Sequence, residues 1–112
     1  MSDPLEIYWS GKSGTKYRFW IYVRGPTFKE PCPGVYIYAK QTEPHRWAPP
    51  LYIGQTENVN ERLTDHEKEE CVNRNSATHI HIRIVTDQKS RLAIEKDLIE
   101  KWKPACNKQY TS

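Results

Sequence analysis

Tyr52, Arg62 and His66 are three side chains with useful chemistry, spread around Gly54 in one short stretch. Leu51, Tyr52 and Ile53 alternate as a strand does, and Gly54 closes that run. Thr56 and Asn58 supply oxygens able to cap a helix, and Val59 and Leu63 then stand four apart, as on a helix face. The expected unit is strand, glycine turn, helix, with Arg62 and His66 sharing one face of the helix. Glycine at the turn lets another backbone or a ligand come close, because no Cβ intervenes. A phenol, a fixed cation and an imidazole around such a turn have the chemistry of an anion site.

A second group announces itself by being in the wrong place. Residues 91–103 carry a helical pattern that Pro104 ends. At about 100° per residue, Leu92, Ile94, Leu98, Ile99 and Trp102 form one apolar arc, and Glu95 falls in its middle. A carboxylate on a buried face costs on the order of several kcal/mol unless a cation or hydrogen bonds meet it. Arg62 is one candidate for that partner and a divalent metal ion is the other. A helix rolled far enough to bring Glu95 to water is the alternative.

The elements that must hold these groups are short strands. Residues 7–23 read as a hairpin around Ser10-Gly-Lys-Ser-Gly14, with Tyr17, Phe19, Ile21 and Val23 on one face and Arg18, Trp20, Tyr22 and Arg24 on the other. Gly11-Lys12-Ser13 is not a phosphate loop, because position 6 is Glu where that motif needs glycine. The Arg18/Trp20/Tyr22 face has the makings of a base-stacking, phosphate-touching surface, and equally those of an ordinary half-exposed aromatic strand. A proline-rich loop leads to Gly34–Lys40, a strand with Val35, Ile37 and Ala39 on one side and Tyr36 and Tyr38 on the other. A short polar loop with His45, Arg46 and Trp47 makes antiparallel pairing with the Leu51–Gly54 strand the natural arrangement. Leu51 and Ile53 then extend the Val35/Ile37 face, and Tyr36 and Tyr52 lie together on the other. In residues 78–85, Ile80, Ile82 and Ile84 are expected inward and His79, His81 and Arg83 outward. The two histidines have zinc-ligand chemistry but no evident third ligand, which favours a solvated strand face. Asp87 to Ser90 is a turn able to cap the last helix.

With 112 residues, the chain is expected to be one domain with a single core. A net charge of +3 is compatible with a polyanionic partner without requiring one. Cys32, Cys71 and Cys106 are odd in number and lack Cys-x-x-Cys spacing, so reduced thiols in a cytoplasmic protein are expected. The start Met1-Ser-Asp-Pro-Leu-Glu-Ile7 lacks a basic, apolar leader, and no apolar run of 18 residues occurs, so neither a signal peptide nor a membrane span is expected.

Gly34-Val35-Tyr36, Tyr52-Ile53-Gly54, Arg62, His66, Glu95 with Ile99 four residues on, and Pro104-x-x-Asn107 together resemble the GIY-YIG endonuclease family, over residues 33–108. The resemblance implies an α+β fold, a three-stranded antiparallel sheet flanked by helices, which agrees with strands near 34–40, 51–54 and 79–85. Residues 1–32 are then an N-terminal hairpin extension of a single nuclease-like domain. It implies metal-dependent hydrolysis of DNA, with Glu95 as the one protein ligand of Mg²⁺ or Mn²⁺, a hard cation that otherwise keeps waters and phosphate oxygens. Arg62 would neutralise charge building on the scissile phosphate. Tyr36 and Tyr52 would line the attacking side, with one of them or His66 taking the proton of the water. Asn107 would hold the site in register by side-chain hydrogen bonds. Gly54 and Gln55 would lie near the phosphate, Gln55 standing where some members carry lysine. Arg18, Trp20 and Trp47 are the further candidates for touching nucleic acid. The rival is a non-catalytic nucleic-acid-binding module on the same fold, and a structural Glu95–Arg62 ion pair is a third reading. Substrate structure, oligomeric state and any protein partner are not legible.

Overall fold

The computed structural model describes residues 6–23, 32–44, 46–59 and 69–107. Seven strands occur among them: β1 (Glu6–Ser10), β2 (Lys16–Val23), β3 (Gly34–Ala39), β4 (Gln41–Glu43), β5 (Arg46–Trp47), β6 (Tyr52–Thr56) and β7 (His79–Ile84). Two α-helices, α1 (Glu69–Arg74) and α2 (Gln88–Trp102), and a 3₁₀ turn (Ala105–Asn107) are the helical elements bounded among the described residues. Five strands form one antiparallel sheet in the order β1-β2-β7-β3-β6, and β4 pairs with β5 in a separate small ladder. The β1–β2 hairpin is thus no appendage: β2 pairs along β7 and lengthens the sheet that β6, β3 and β7 begin.

Period-two alternation sends side chains to opposite faces of this sheet, and both faces are covered. On one, Tyr36, Tyr38, Ile80 and Ile82 pack with Val59 and with Cys71 and Val72 of α1. On the other, Trp9, Phe19, Val35, Ile37, Ala39 and Ile53 pack with Leu98 of α2, flanked by Ile94, Ile99 and Trp102. Strand β3 is buried along its whole length because it lies between two strands and under both layers. Asp87 caps α2 as its side chain accepts from the Ser90 amide at 2.9 Å and the Ser90 hydroxyl at 2.8 Å. Those bonds, hydroxyl first, hold the Asp87 carboxyl below its usual range. Lys103 closes the helix in the left-handed conformation at φ 45°, its N–H donating to the Ile99 carbonyl, and Pro104 follows.

Several expectations are corrected here. His81 is wholly buried, not solvated, because Trp9 of the hairpin and Trp47 pack on the strand face that alternation alone leaves open. Ile84 at the end of β7 and Leu92 on α2 are exposed instead of inward. Leu51 precedes β6 and packs with the tyrosine face, not with Val35 and Ile37. Helix α2 begins at Gln88, a turn earlier than the apolar pattern shows, since Asp87 is its cap. Cys71 and Cys106 are joined by a disulfide with Cα atoms 5.8 Å apart, so of the three thiols expected to be reduced only Cys32 stays outside a disulfide. Their separation of 35 residues carries no local signal; the fold brings α1 against the 3₁₀ turn. Among the described residues no helix is long and apolar enough to cross a membrane.

Candidate active site

The site grows from the antiparallel pairing of β3 and β6, which sets Tyr36 opposite Gly54 and Tyr38 opposite Tyr52. Gly54 does not end its strand, as the sequence pattern suggests, but lies within β6. A Cβ there would come 2.7 Å from the Tyr36 Cζ and hydroxyl and 2.9 Å from Tyr52 Cε2. No side chain fits that space, so the glycine is what lets both phenols gather over the strand. Their ring centroids are 6.1 Å apart at a tilt of 42°. Tyr36 is wholly buried and Tyr52 only half-buried, so Tyr52 is the phenol of the two that meets solvent.

Strand β6 is an edge of the sheet, and an edge leaves backbone groups without a neighbouring strand. The 3₁₀ turn supplies what is missing. Asn107 Oδ1 accepts from the Ile53 N–H at 2.8 Å, and its Nδ2 donates to the Ile53 carbonyl at 2.9 Å, so one carboxamide stands in for a paired peptide. One step along, the Cys106 N–H donates to the Leu51 carbonyl at 2.9 Å. Asn107 thereby fixes the residue between Tyr52 and Gly54, and the Cys71–Cys106 disulfide ties the turn to α1.

Gln55 points to the α2 side of β6, where Arg91 meets it. Arg91 Nε donates to Gln55 Oε1 at 2.9 Å, and its Nη1 donates to the Val85 and Thr86 carbonyls, each at 3.1 Å. Arg91 is 3% exposed, and such burial of a guanidinium requires those acceptors. It was not among the residues selected from sequence, yet a signal was present: Arg91, Glu95, Leu98 and Trp102 follow the i, i+4, i+7, i+11 course of one helix face. Glu95 is half-buried on α2, one turn beyond Arg91 and on the same face. Arg62 and His66 lie outside the described residues, so the structure brings together Tyr36, Tyr52, Gly54, Gln55 and Asn107 around β6 and sets Glu95 on the helix packed against it.

The remaining candidates divide between the two faces. Trp47 packs edge-on against His81 and His79, with centroids at 4.5 and 5.0 Å, on the α2 side. His81 Nδ1 accepts from Trp9 Nε1 at 2.9 Å. Burial, helped by His79, pushes its pKa down to about 3, so it is a neutral core group. Burial lowers His79 as well. No group of three His, Cys, Asp or Glu side chains among the described residues is placed to hold a metal. Arg18 lies 4.9 Å above the Trp20 ring on the other face, 3.7 Å from Glu6. A further carboxylate, Asp97, locks the hairpin turn to α2. It accepts from the Ser13 N–H at 2.9 Å and from the hydroxyls of Ser13 and Tyr17, each at 2.7 Å. The Ser13 and then the Tyr17 hydroxyl hold Asp97 below the usual carboxylate range, while burial and then Asp97 raise Tyr17.

Comparison with known proteins assigns the family. The family model for the GIY-YIG catalytic domain matches residues 32–110. The chain therefore belongs to the GIY-YIG family, whose catalytic domain is an endonuclease. Among solved structures, it is similar to the GIY-YIG N-terminal endonuclease domain of UvrC from Thermotoga maritima bound to its catalytic divalent cation, magnesium. That match has 26% identity and a TM-score of 0.54, over 70% of this chain and 88% of that one. Two point mutants of the same domain bound to the catalytic divalent cation match at 26% and 27% identity and TM-scores of 0.55 and 0.56, each over 70% of this chain and over 86% and 87% of theirs. Among curated proteins no match was found.

Proposed function

We propose that this endonuclease hydrolyses DNA phosphodiester bonds with one divalent metal ion held by Glu95. The observation that carries the reading is the clamp on β6: Asn107 fixes Ile53, and the residues on either side of it, Tyr52 and Gly54, form the tyrosine cluster with Tyr36. Rigid support around two phenols is what an active site needs, because a group 1 Å out of place loses much of its effect. Glu95 suits the ion chemically, since a single half-buried carboxylate offers the hard oxygen donor that Mg²⁺ or Mn²⁺ takes. When bound, such an ion supplies positive charge to the phosphate oxygens and lowers the pKa of a coordinated water.

This chain's own groups divide the rest of the work. Tyr52, the phenol with access to solvent, orients the attacking water and passes its proton on, with His66 as relay. Tyr36, wholly buried, holds Tyr52 and the glycine strand in place. Arg62 neutralises the charge that gathers on the phosphorus oxygens as the new P–O bond forms and the old one breaks. Gln55, oriented by Arg91, is a neutral hydrogen-bonding group near the phosphate.

Supercoiled plasmid and labelled linear and branched DNAs, incubated with Mg²⁺, Mn²⁺ or chelator, test the reading. Metal-dependent cleavage that Glu95→Ala abolishes is expected. Tight, steeply salt-dependent binding with no product in either metal would instead assign the fold to a non-catalytic binding module.

A further inference from the structure

The N-terminal hairpin lies almost wholly outside the span matched to the catalytic domain, yet it belongs to the same sheet. Its register decides which face it shares with the tyrosines. Trp20 pairs with Ile82, Ile82 with Tyr36, and Tyr36 with Gly54, so these four stand in one row across β2, β7, β3 and β6. Paired residues in a sheet point the same way. Trp20 is therefore on the catalytic-tyrosine face, two strand spacings or roughly 10 Å from Tyr36. Lys16, Arg18 and Trp20 alternate along one side of β2, and Tyr8, opposite Arg18, joins them from β1.

Helix α1 and Val59 cover the Tyr36 half of this face, whereas the hairpin half reaches solvent. Tyr8 is 54% exposed, and Ile84, between the hairpin and β3, is 49% exposed. Arg18 is half-exposed and its ion pair with Glu6 is 3.7 Å long. A solvated pair at that length is worth little, so the guanidinium can exchange its carboxylate for a phosphate. Two cations against one carboxylate, interleaved with a tyrosine and a tryptophan, make a surface that takes an anionic chain with flat, apolar bases.

We infer that this hairpin face is a docking platform for an unpaired stretch of the DNA strand leading into the active site, with Trp20 and Tyr8 stacking on bases and Arg18 and Lys16 meeting phosphates. The inference rests on DNA being the substrate and specifies its class: a flap, fork or frayed end in preference to uninterrupted duplex. Stacking of this kind needs a base whose face is free, which duplex DNA does not present. Tyr52, the phenol that meets solvent, stands on β6, three strand spacings or roughly 14 Å from β2, a span of about four stacked nucleotides at ~3.4 Å each. Charge complementarity singles out a DNA strand as the occupant, since Lys16 and Arg18 outnumber Glu6 among the aromatic rings on this face.

Anisotropy titrations in chelator, with labelled oligothymidine and a duplex of equal length, separate this inference from the nuclease reading. Wild-type protein should hold the single strand more tightly than the duplex. Trp20→Ala should weaken single-strand binding about tenfold or more, Trp20→Phe should restore most of it, and duplex binding should hardly change. Tyr8→Ala, at an exposed position, repeats the test should Trp20→Ala not fold. Equal single-strand affinity for wild type, Trp20→Ala and Tyr8→Ala would overturn the inference, even with Mg²⁺-dependent cleavage intact. Trp20-dependent single-strand binding without cleavage would uphold the platform and sink the nuclease reading. Sedimentation that shows a dimer dissolved by Tyr8→Ala would assign the face to a second copy of the chain and overturn the inference as well.

Discussion

Asn107→Ala removes two hydrogen bonds that no backbone neighbour can replace. Ile53 lies on the edge strand, wholly buried, and its N–H and C=O both end on the Asn107 carboxamide. Each buried group left unsatisfied costs about 1–3 kcal/mol, so the variant should lose roughly 2–6 kcal/mol. Against a domain stability of about 5–15 kcal/mol that is a large fraction. Urea unfolding gives the global figure, and amide exchange gives a local one, because the Ile53 N–H loses its acceptor and should exchange far faster in the variant. Thermal unfolding should fall by about 8 °C or more. A change below ~0.5 kcal/mol with Ile53 still protected would refute the argument that Asn107 acts as the missing strand. Any activity should fall further than stability explains, since Tyr52 and Gly54 flank the released residue.

Burial holds His81 at about 3, well below its usual 6.5, so the unfolded chain takes up a proton before the folded one does. Stability from this group is complete above pH ~6.5 and is lost as pH falls toward 3, at up to about 1.4 kcal/mol per pH unit; replacing His81 by Gln should flatten that part of a stability–pH curve. Asp87 and Asp97, both held below their usual range, add a loss only below about pH 4, so unfolding measured between pH 6.5 and 4.5 reads His81 together with His79, which burial also lowers, and the His81→Gln difference separates the two. Reducing Cys71–Cys106, which closes a separation of 35 residues, should cost about 4 kcal/mol by chain-entropy arithmetic and should lower the melting temperature of wild type but not of Cys71→Ser.

The hairpin, the strands β3 and β7, and the tyrosine pair were legible because each is written in a period of two over four or more residues. Asp87 and Pro104 mark the ends of α2 through backbone chemistry that is local and therefore visible. Pattern assigns a residue to a face, however, and does not say what covers the face. His81 alternates with Ile80 and Ile82 as an outward residue would, and Trp9, 72 positions away, and Trp47 are what bury it. Gly54 reads as a strand end when taken alone; only its pairing with Tyr36 shows a strand interior with a missing side chain. Arg91 belongs to the row that carries Glu95, but its acceptors, Gln55, Val85 and Thr86, come from β6 and the turn before the helix. The disulfide was hidden for the same reason, as neither cysteine has a partner at motif spacing.

The central claim concerns Glu95, and the most direct measurement is the position of Mn²⁺ in a complex with uncleaved DNA, located by its anomalous scattering. The account predicts one ion bonded to a Glu95 carboxylate oxygen and to a phosphate oxygen of the strand, and no ion there in Glu95→Gln. DNA seated against Tyr52 with Mn²⁺ elsewhere, or with none bound to Glu95, would contradict it.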